Sequence, residues 1–413
     1  MRRAALLVCV MVTALVGATG VALAAAQNGT QGKANGKVPL RSDQPSVDFV
    51  PGEIVVRTEN GDYETREVGA QGLEAVEKAA QEIEVRNPSV EEAGPNFVYR
   101  LRGFVPNDPR FVAQQDWLWN KDPNVVNIRA PGAWDDSKGG DPGVLIGVVD
   151  TGWQTDHPDL IDKVAGQRDF VDEDPVAEGY DYHGTSVAGV AAADTNNNEG
   201  VAGVGFNARF VMAKACARFC KTEDTAPAID WLVQEQGVKI INLSFGRDLP
   251  PDQILGDAIR GAQEAGALVV ASAGNDGVYT DSFYPACFEG VLGVGAVSDN
   301  GTKASFSNTG PCVDLVAPGE SLITTFDEND PIPGPDGPVH TLYASVGGTS
   351  FAAPQVAGTA ALIMARNRDW SAKEIAERLE KYADDMGEPG RDDIYGNGLL
   401  NARCSVGPGA RGC

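Results

Sequence analysis

Asp150, His183 and Ser350 are far apart in the chain and combine a carboxylate, an imidazole and a hydroxyl, the groups needed for nucleophilic acyl transfer by an activated alcohol. The chain has three histidines, so an imidazole general base is His157, His183 or His340. His157 precedes Pro158 and His340 sits in a Pro- and Gly-rich loop, and both are read as structural. His183 opens His183-Gly184-Thr185 before a run of small residues, Ser186 to Ala193, suited to a helix lying close on a sheet. Asp150-Thr151-Gly152 ends an apolar strand, placing a carboxylate at the sheet edge where α/β proteins bind ligands. Ser350 follows Gly347-Gly348-Thr349 at the start of an apolar helix, where unpaired amides and the helix dipole favour developing negative charge. Asn275, in Ala271-Ser272-Ala273-Gly274-Asn275, is a side-chain donor able to complete an oxyanion hole with the Ser350 amide. Each piece has an ordinary reading as well: a turn residue for Asp150 and Asn275, an N-cap for Ser350. The order Asp, His, Asn, Ser in one chain is what makes chance an unattractive explanation.

The elements that must position these groups are read from periodicity. Buried apolar runs at Val144 to Asp150, Phe210 to Lys214, Lys239 to Phe245, Ala267 to Ser272 and Val291 to Val297 alternate with helical segments. That alternation predicts an α/β fold with a mostly parallel sheet covered on both faces. Helices are expected over Phe351 to Arg366 and over Ser371 to Tyr382, the latter opened by a Ser371/Glu374 capping box and striped by Ile375, Leu379 and Tyr382. Upstream, strands at Gly52 to Arg57 and Asn96 to Leu101 flank a helix at Gln71 to Ile83, a small α+β unit ending before the turn-rich Pro106-Asn107-Asp108-Pro109. No internal repeat of fixed period is present.

The segments Asp150-Thr151-Gly152, His183-Gly184-Thr185, Ala273-Gly274-Asn275 and Gly348-Thr349-Ser350-Phe351-Ala352-Ala353-Pro354 resemble those of the subtilisin-like serine proteases. The order Asp, His, Ser is the one for which that family is known. Gly-x-Ser-x-Gly and Gly-Asp-Ser-Gly signatures are absent around Ser350. The resemblance, over roughly Pro106 to Ala402, implies a three-layer subtilisin-like fold preceded by a small α+β propeptide domain. It implies Ser350 as nucleophile, His183 as general base then acid, Asp150 as the group orienting His183, and Asn275 with the Ser350 amide as oxyanion donors. It further implies that an extended peptide adds as a strand along Ser244-Phe245-Gly246 and Ala271-Ser272-Ala273-Gly274, with broad protein and peptide substrates. Phe283, before Tyr284-Pro285, stands where the family usually has a small residue at the base of the primary specificity pocket, so a small side chain is expected at the scissile residue. Structural Ca²⁺ is implied by Asp159 and by the loop Asn196 to Val201, with Asp108, Asn197, Glu199 and Val201 as further ligands; an Asn-rich surface turn is the plainer alternative. No cofactor is expected for the chemistry itself. The upstream unit is expected to be an intramolecular inhibitor, released by cleavage between about Arg100 and Pro106.

The 413 residues accommodate two folded units, and the formal net charge of −25, from 58 acidic against 33 basic residues, excludes a nucleic-acid-binding surface as the leading reading. Solubility is the ordinary reading of that acidity. Arg2 and Arg3 precede a charge-free stretch from Ala4 to Ala26 with a small-residue cleavage pattern at Ala22-Leu23-Ala24, read as an export signal, an uncleaved anchor being the alternative. The expected organisation is residues 1–26 signal peptide, 27–46 disordered linker, 47–105 propeptide domain and 106–413 peptidase domain, secreted and monomeric, with no membrane association after cleavage. Beyond Cys9, six cysteines in an exported chain favour disulfides. Fifteen connectivities are possible, and sequence proximity suggests Cys216 with Cys220, Cys287 with Cys312 and Cys404 with Cys413, each stabilising by roughly 2 to 3.5 kcal/mol. Two other functions stay open at this level: a catalytically silent binding protein on the same fold, and a calcium-dependent adhesive module, which accounts for the acidity but not for the Ser350 segment.

Overall fold

A computed structural model describes residues 49–97 and 104–407, apart from 121, 123, 141–142 and 335–336. The export signal, the linker and most of the proposed cleavage region therefore lie outside the described residues. The described residues fall into two compact units, divided between the two spans.

In the first unit, β1 (Phe49–Thr58) pairs antiparallel with β2 (Tyr63–Glu67) on one side and β3 (Val90–Phe97) on the other, and α1 (Leu73–Arg86) packs on the sheet. Its core is small: Ile54, Val56, Val76, Ala80 and Val90. The last strand lies earlier than the expected Asn96 to Leu101, because its partner on β1 is the stretch from Val90, whose register runs from Thr58↔Val90 to Phe49↔Phe97.

The second unit is built on seven parallel strands: β4 (Leu145–Asp150), β5 (Val164–Asp169), β6 (Arg209–Lys214), β7 (Ile240–Leu243), β8 (Leu268–Ser272), β9 (Val291–Val297) and β10 (Leu315–Pro318), in spatial order β10-β9-β8-β7-β4-β6-β5. Residues alternate between two cores. Ile146, Val148, Phe210, Met212, Val270 and Val294 face one, and Val149, Val211, Ala213, Ile241, Val269 and Ala271 face the other. Both faces being apolar is why these strands read as continuous hydrophobic runs. Helices α2 (Tyr182–Ala192) and α5 (Thr349–Arg366) cover the first face, and α3 (Thr222–Gln234) and α4 (Gln253–Glu264) the second. The capping box of α6 (Ala372–Lys381) forms as expected, with Ile375 and Leu379 buried; Tyr382 is its C-cap.

The chain leaves β4 toward β6 and β5, then crosses to β7 and continues toward β10, so the connections diverge between β4 and β7. Such a switch point opens a crevice at the carboxyl ends of the strands. Asp150 is the last residue of β4, Ser244 follows β7 and Ala273 follows β8, so the topology gathers them at one edge. Among the described residues, no helix is long and apolar enough to cross a membrane.

Candidate active site

Asp150 is buried, and its Oδ1 accepts from its neighbour's backbone, Thr151 N, at 2.7 Å. The same oxygen lies 2.7 Å from Nδ1 of His183, which donates to it when that nitrogen carries the proton. The imidazole is held there by its own helix start. Asp181, the N-cap of α2, accepts from His183 N at 2.9 Å and from Thr151 Oγ1 at 2.8 Å, and Thr151 Oγ1 in turn accepts from Gly184 N at 3.0 Å. Gly184 is required by proximity, since a Cβ there would collide with the Gly152 carbonyl and stand 3.2 Å from Asp150 Oδ1. Asp181 and Thr151 were not singled out in the sequence; the Asp-x-His spacing ahead of a helix is the capping signal that marks Asp181.

Burial pushes the pKa of His183 down, but the charge and hydrogen bond of Asp150, with the charge of Asp181, outweigh it and leave the imidazole above its ordinary 6.5. About a quarter of the side chain, 26%, remains exposed.

Ser350 is the second residue of α5, and Gly348, at φ 145°, is the N-cap, a conformation that suits glycine. The hydroxyl is therefore not spent on capping. Ser350 Oγ donates to the Ser244 carbonyl at 3.1 Å rather than to the imidazole, and Ser244 Oγ donates to the Ser350 carbonyl at 2.7 Å. Asn242 Nδ2 donates to Ser244 Oγ at 2.8 Å, extending the network into β7. His183 and the next residue of α5, Phe351, have ring centroids 5.5 Å apart, so the imidazole and the start of α5 adjoin. The hydrogen bond from a catalytic hydroxyl to its base commonly tightens only when substrate binds.

Asn275 borders the same helix start. Its Oδ1 accepts from both Thr349 N and Thr349 Oγ1 at 2.9 Å, which fixes the amide and leaves Nδ2 as the side chain's donor. Thr349 also accepts from Gly274 N at 3.2 Å. Thr349 was quoted in the motif only as a neighbour of Ser350; the structure makes it the anchor of Asn275.

Of the expected substrate-binding segments, Ser244, Phe245 and Gly246 leave the sheet at the crevice. Ala271 and Ser272 stay within β8; Ala271 is registered with Leu243 on β7 and with Gly293 on β9. These two thus shape the wall from inside the ladder, and Ala273 and Gly274 carry the wall outward. Phe283 is 7% exposed and inserts between the two segments. A Cβ on Gly246 would collide with its ring, and one on Gly274 would stand 2.6 Å from its Cε2 and Cζ.

The residues expected around calcium converge in part. Asp108 accepts from Asn196 N, and Asp159 accepts from Val201 N and Asn197 Nδ2, both at 2.8 Å. Burial pushes the Asp159 carboxyl up to about 7, with the charges of Asp108 and Asp194 adding to the rise; Asp108 is raised by burial and by the charge of Asp194. Two buried carboxylates with no ion pair among the described residues are a place where a cation is electrostatically welcome. Asn197 Oδ1 accepts from Glu199 N at 2.8 Å while its Nδ2 faces Asp159, and the Glu199 carboxylate faces Tyr343 Oη at 3.5 Å. No group of three or more His, Cys, Asp or Glu side chains among the described residues is arranged to hold a metal.

His157 is buried, its Nε2 on the Leu342 carbonyl and its Nδ1 accepting from Asp159 N, with burial pushing its pKa down: a structural neutral histidine. His340 is exposed and bonded to the Glu328 carbonyl. Disulfides Cys216–Cys220 and Cys287–Cys312 form as expected. Cys404 is disulfide-bonded, and its expected partner Cys413 lies outside the described residues.

Known proteins resemble this chain over most of the second unit. The family model described as "Subtilase family" matches residues 141–398. A thermophilic serine proteinase of Bacillus sp. (strain AK1) is 39% identical over 78% of this chain and 74% of its own length. Thermitase of Thermoactinomyces vulgaris is 37% identical over 73% of this chain and 99% of its own. Among solved structures, a protease from Pseudoalteromonas arctica superposes with a TM-score of 0.65 at 30% identity, covering 73% of this chain and 99% of the other. The chain belongs to the subtilase family and is a serine endopeptidase, a peptide-bond hydrolase.

Proposed function

We propose that this is a secreted, broad-specificity endopeptidase made as a self-inhibited precursor, with Ser350, His183 and Asp150 as its triad. The 2.7 Å contact between His183 Nδ1 and Asp150 carries this reading, because it fixes the tautomer that leaves Nε2 free to take the proton of Ser350. On binding, the Ser350 hydroxyl exchanges its bond to the Ser244 carbonyl for one to Nε2 and attacks the scissile carbonyl. Asn275 Nδ2 and the Ser350 amide receive the oxyanion; His183 then protonates the leaving amine, and water completes hydrolysis of the acyl-enzyme. Asp150 keeps its charge throughout and stabilises the imidazolium.

Phe283, standing between Gly246 and Gly274, closes the slot that would take the scissile residue's side chain, which favours glycine, alanine or serine there. The α+β unit of residues 49–97 serves as the propeptide, and self-cleavage between about Arg100 and Pro106 releases the enzyme. Structural Ca²⁺ would be held by Asp108, Asp159 and carbonyl oxygens of the Asn196 to Val201 loop, where it would supply charge neutralisation at the two buried carboxylates and no step of the chemistry. Export through the signal at residues 1–26, the monomeric state and the absence of nucleic-acid or membrane partners complete the proposal.

Purified precursor incubated with denatured casein tests it, alongside N-terminal sequencing of wild type and Ser350→Ala. Casein degradation with a new N-terminus between about Arg100 and Pro106 in wild type alone is expected. A Ser350→Ala precursor processed like wild type contradicts self-cleavage.

A further inference from the structure

Phe104 is seated on the second unit well ahead of β4. Its backbone N donates to Oδ1 of Asp135, in the short helix Ala130–Asp136, at 2.9 Å. Its ring meets Phe206 edge-on at a centroid distance of 5.3 Å, and Lys138 Nζ lies 3.8 Å from its centroid. Phe206 is buried and packs in turn on Trp134, whose Nε1 donates to the Val204 carbonyl at 2.8 Å, so the seat is built on the core. Asp136 pairs with Arg366 at 3.1 Å, whereas Asp135 has no ion-pair partner among the described residues. Asp135 and Lys138 precede β4 and Phe206 precedes β6, which puts the seat at the amino ends of those strands, away from Asp150 and the crevice.

A neutral backbone amide is a modest partner for a carboxylate; an α-ammonium in the same place makes a charge-assisted bond. That ammonium exists only if the bond before Phe104 is cut. Between Arg100 and Pro106 the sequence is Leu101-Arg102-Gly103-Phe104-Val105, in which Gly103 is the one glycine, alanine or serine. A slot closed by Phe283 therefore accepts one bond in that window, the one joining Gly103 to Phe104. The seat selects the same bond independently. A cut after Leu101 or Arg102 leaves residues ahead of Phe104 and carries the ammonium away from Asp135, and a cut after Phe104 removes the ring that rests on Phe206.

We propose that Phe104 is the first residue of the processed enzyme and that Asp135 is the receptor for its freed ammonium. The inference rests on the triad and Phe283 readings above. Ser350 Oγ takes the Gly103 acyl group as the C–N bond breaks, and His183 delivers its proton to Phe104 N. Water then hydrolyses the ester, leaving a Gly103 carboxylate and a Phe104 amine that takes a further proton from solvent. The cut precedes seating, because seat and crevice lie at opposite ends of the sheet. N-terminal sequencing of processed wild type is expected to read Phe104-Val105-Pro106-Asn107-Asp108. Gly103→Val is expected to slow its appearance more than about tenfold, and Gly103→Ala to leave it unchanged. Any other first residue, or a Gly103→Val chain cut at that bond at the wild-type rate, overturns the assignment. Acetylation of the α-amine of the processed enzyme, followed by mass spectrometry, tests the seat. An exposed ion pair holds the proton modestly, so Asp135→Asn is expected to react about 1.5- to 5-fold faster at pH 7, and equally at pH 10, where the amine is free in both. Equal rates at pH 7 overturn the role of Asp135. Organophosphonate labelling of the precursor separates the failures. A precursor that stays whole but is labelled at Ser350 defeats the cut and keeps the triad, whereas one neither cut nor labelled defeats the triad reading and the cut with it.

Discussion

If Phe283 closes the slot for the scissile side chain and so favours small residues there, Phe283→Ala is expected to let the enzyme accept aromatic ones. The ring is 7% exposed and sits where Cβ atoms on Gly246 and Gly274 would overlap it, so its removal opens the space between the ends of β7 and β8. Burying a substrate Phe there is worth about 1.5–3 kcal/mol, or about 10- to 150-fold in kcat/KM relative to the same peptide on wild type. The alanine peptide gains nothing, so the selectivity ratio moves by that factor. The opposing cost is a loss of packing of at most about 3–5 kcal/mol, reduced because the slot opens to the cleft and takes water. Paired peptides ending in Ala or Phe at the scissile position measure the ratio, and a thermal melt confirms folding. Efficient cleavage after Phe by wild type, or an unchanged ratio in the folded variant, refutes the reasoning that Phe283 closes the pocket.

Other outcomes follow from the same geometry. Losing one oxyanion donor in a subtilisin costs about 10²–10³ in kcat; Asn275→Ala is expected to fall in that range with KM little changed, and steady-state kinetics showing an unaltered kcat removes Asn275 from the mechanism. Because His183 must be neutral to act and its pKa lies above 6.5, kcat/KM should fall tenfold per pH unit on the acid side, with its midpoint above pH 6.5; a profile flat to pH 4 contradicts the role of His183. If Ca²⁺ neutralises Asp108 and Asp159, free ion at a hundred times its Kd stabilises by about 2.7 kcal/mol, so a chelator lowers Tm by several degrees and Asp159→Asn abolishes the difference. A melt unmoved by chelation defeats the calcium proposal.

What the sequence made legible is what burial makes legible. Strands such as Val291–Val297, apolar on both faces, are unmistakable runs. Val164–Asp169 is an edge strand carrying Gln167 and Arg168 and half open to solvent, and Leu315–Pro318 is four residues long at the opposite edge, so neither leaves a clear pattern. Tyr63–Glu67, polar and exposed in the upstream unit, was silent for the same reason. His183 was legible because two other histidines sit in contexts that suit structure. The partners that set each group's orientation were not: Ser244 accepting from Ser350, Thr349 holding Asn275, and Thr151 donating to Asp181 are contacts across 30 to 106 residues of chain, visible only once the sheet edge gathers them, and only the local capping signal of Asp181 lay in the sequence.

Reaction with an organophosphonate, located by peptide mass spectrometry, tests the central assignment most directly. One adduct per molecule on Ser350, absent in Ser350→Ala and strongly slowed in His183→Ala, is the result the triad requires. Labelling at another serine, or undiminished labelling without the imidazole, contradicts it.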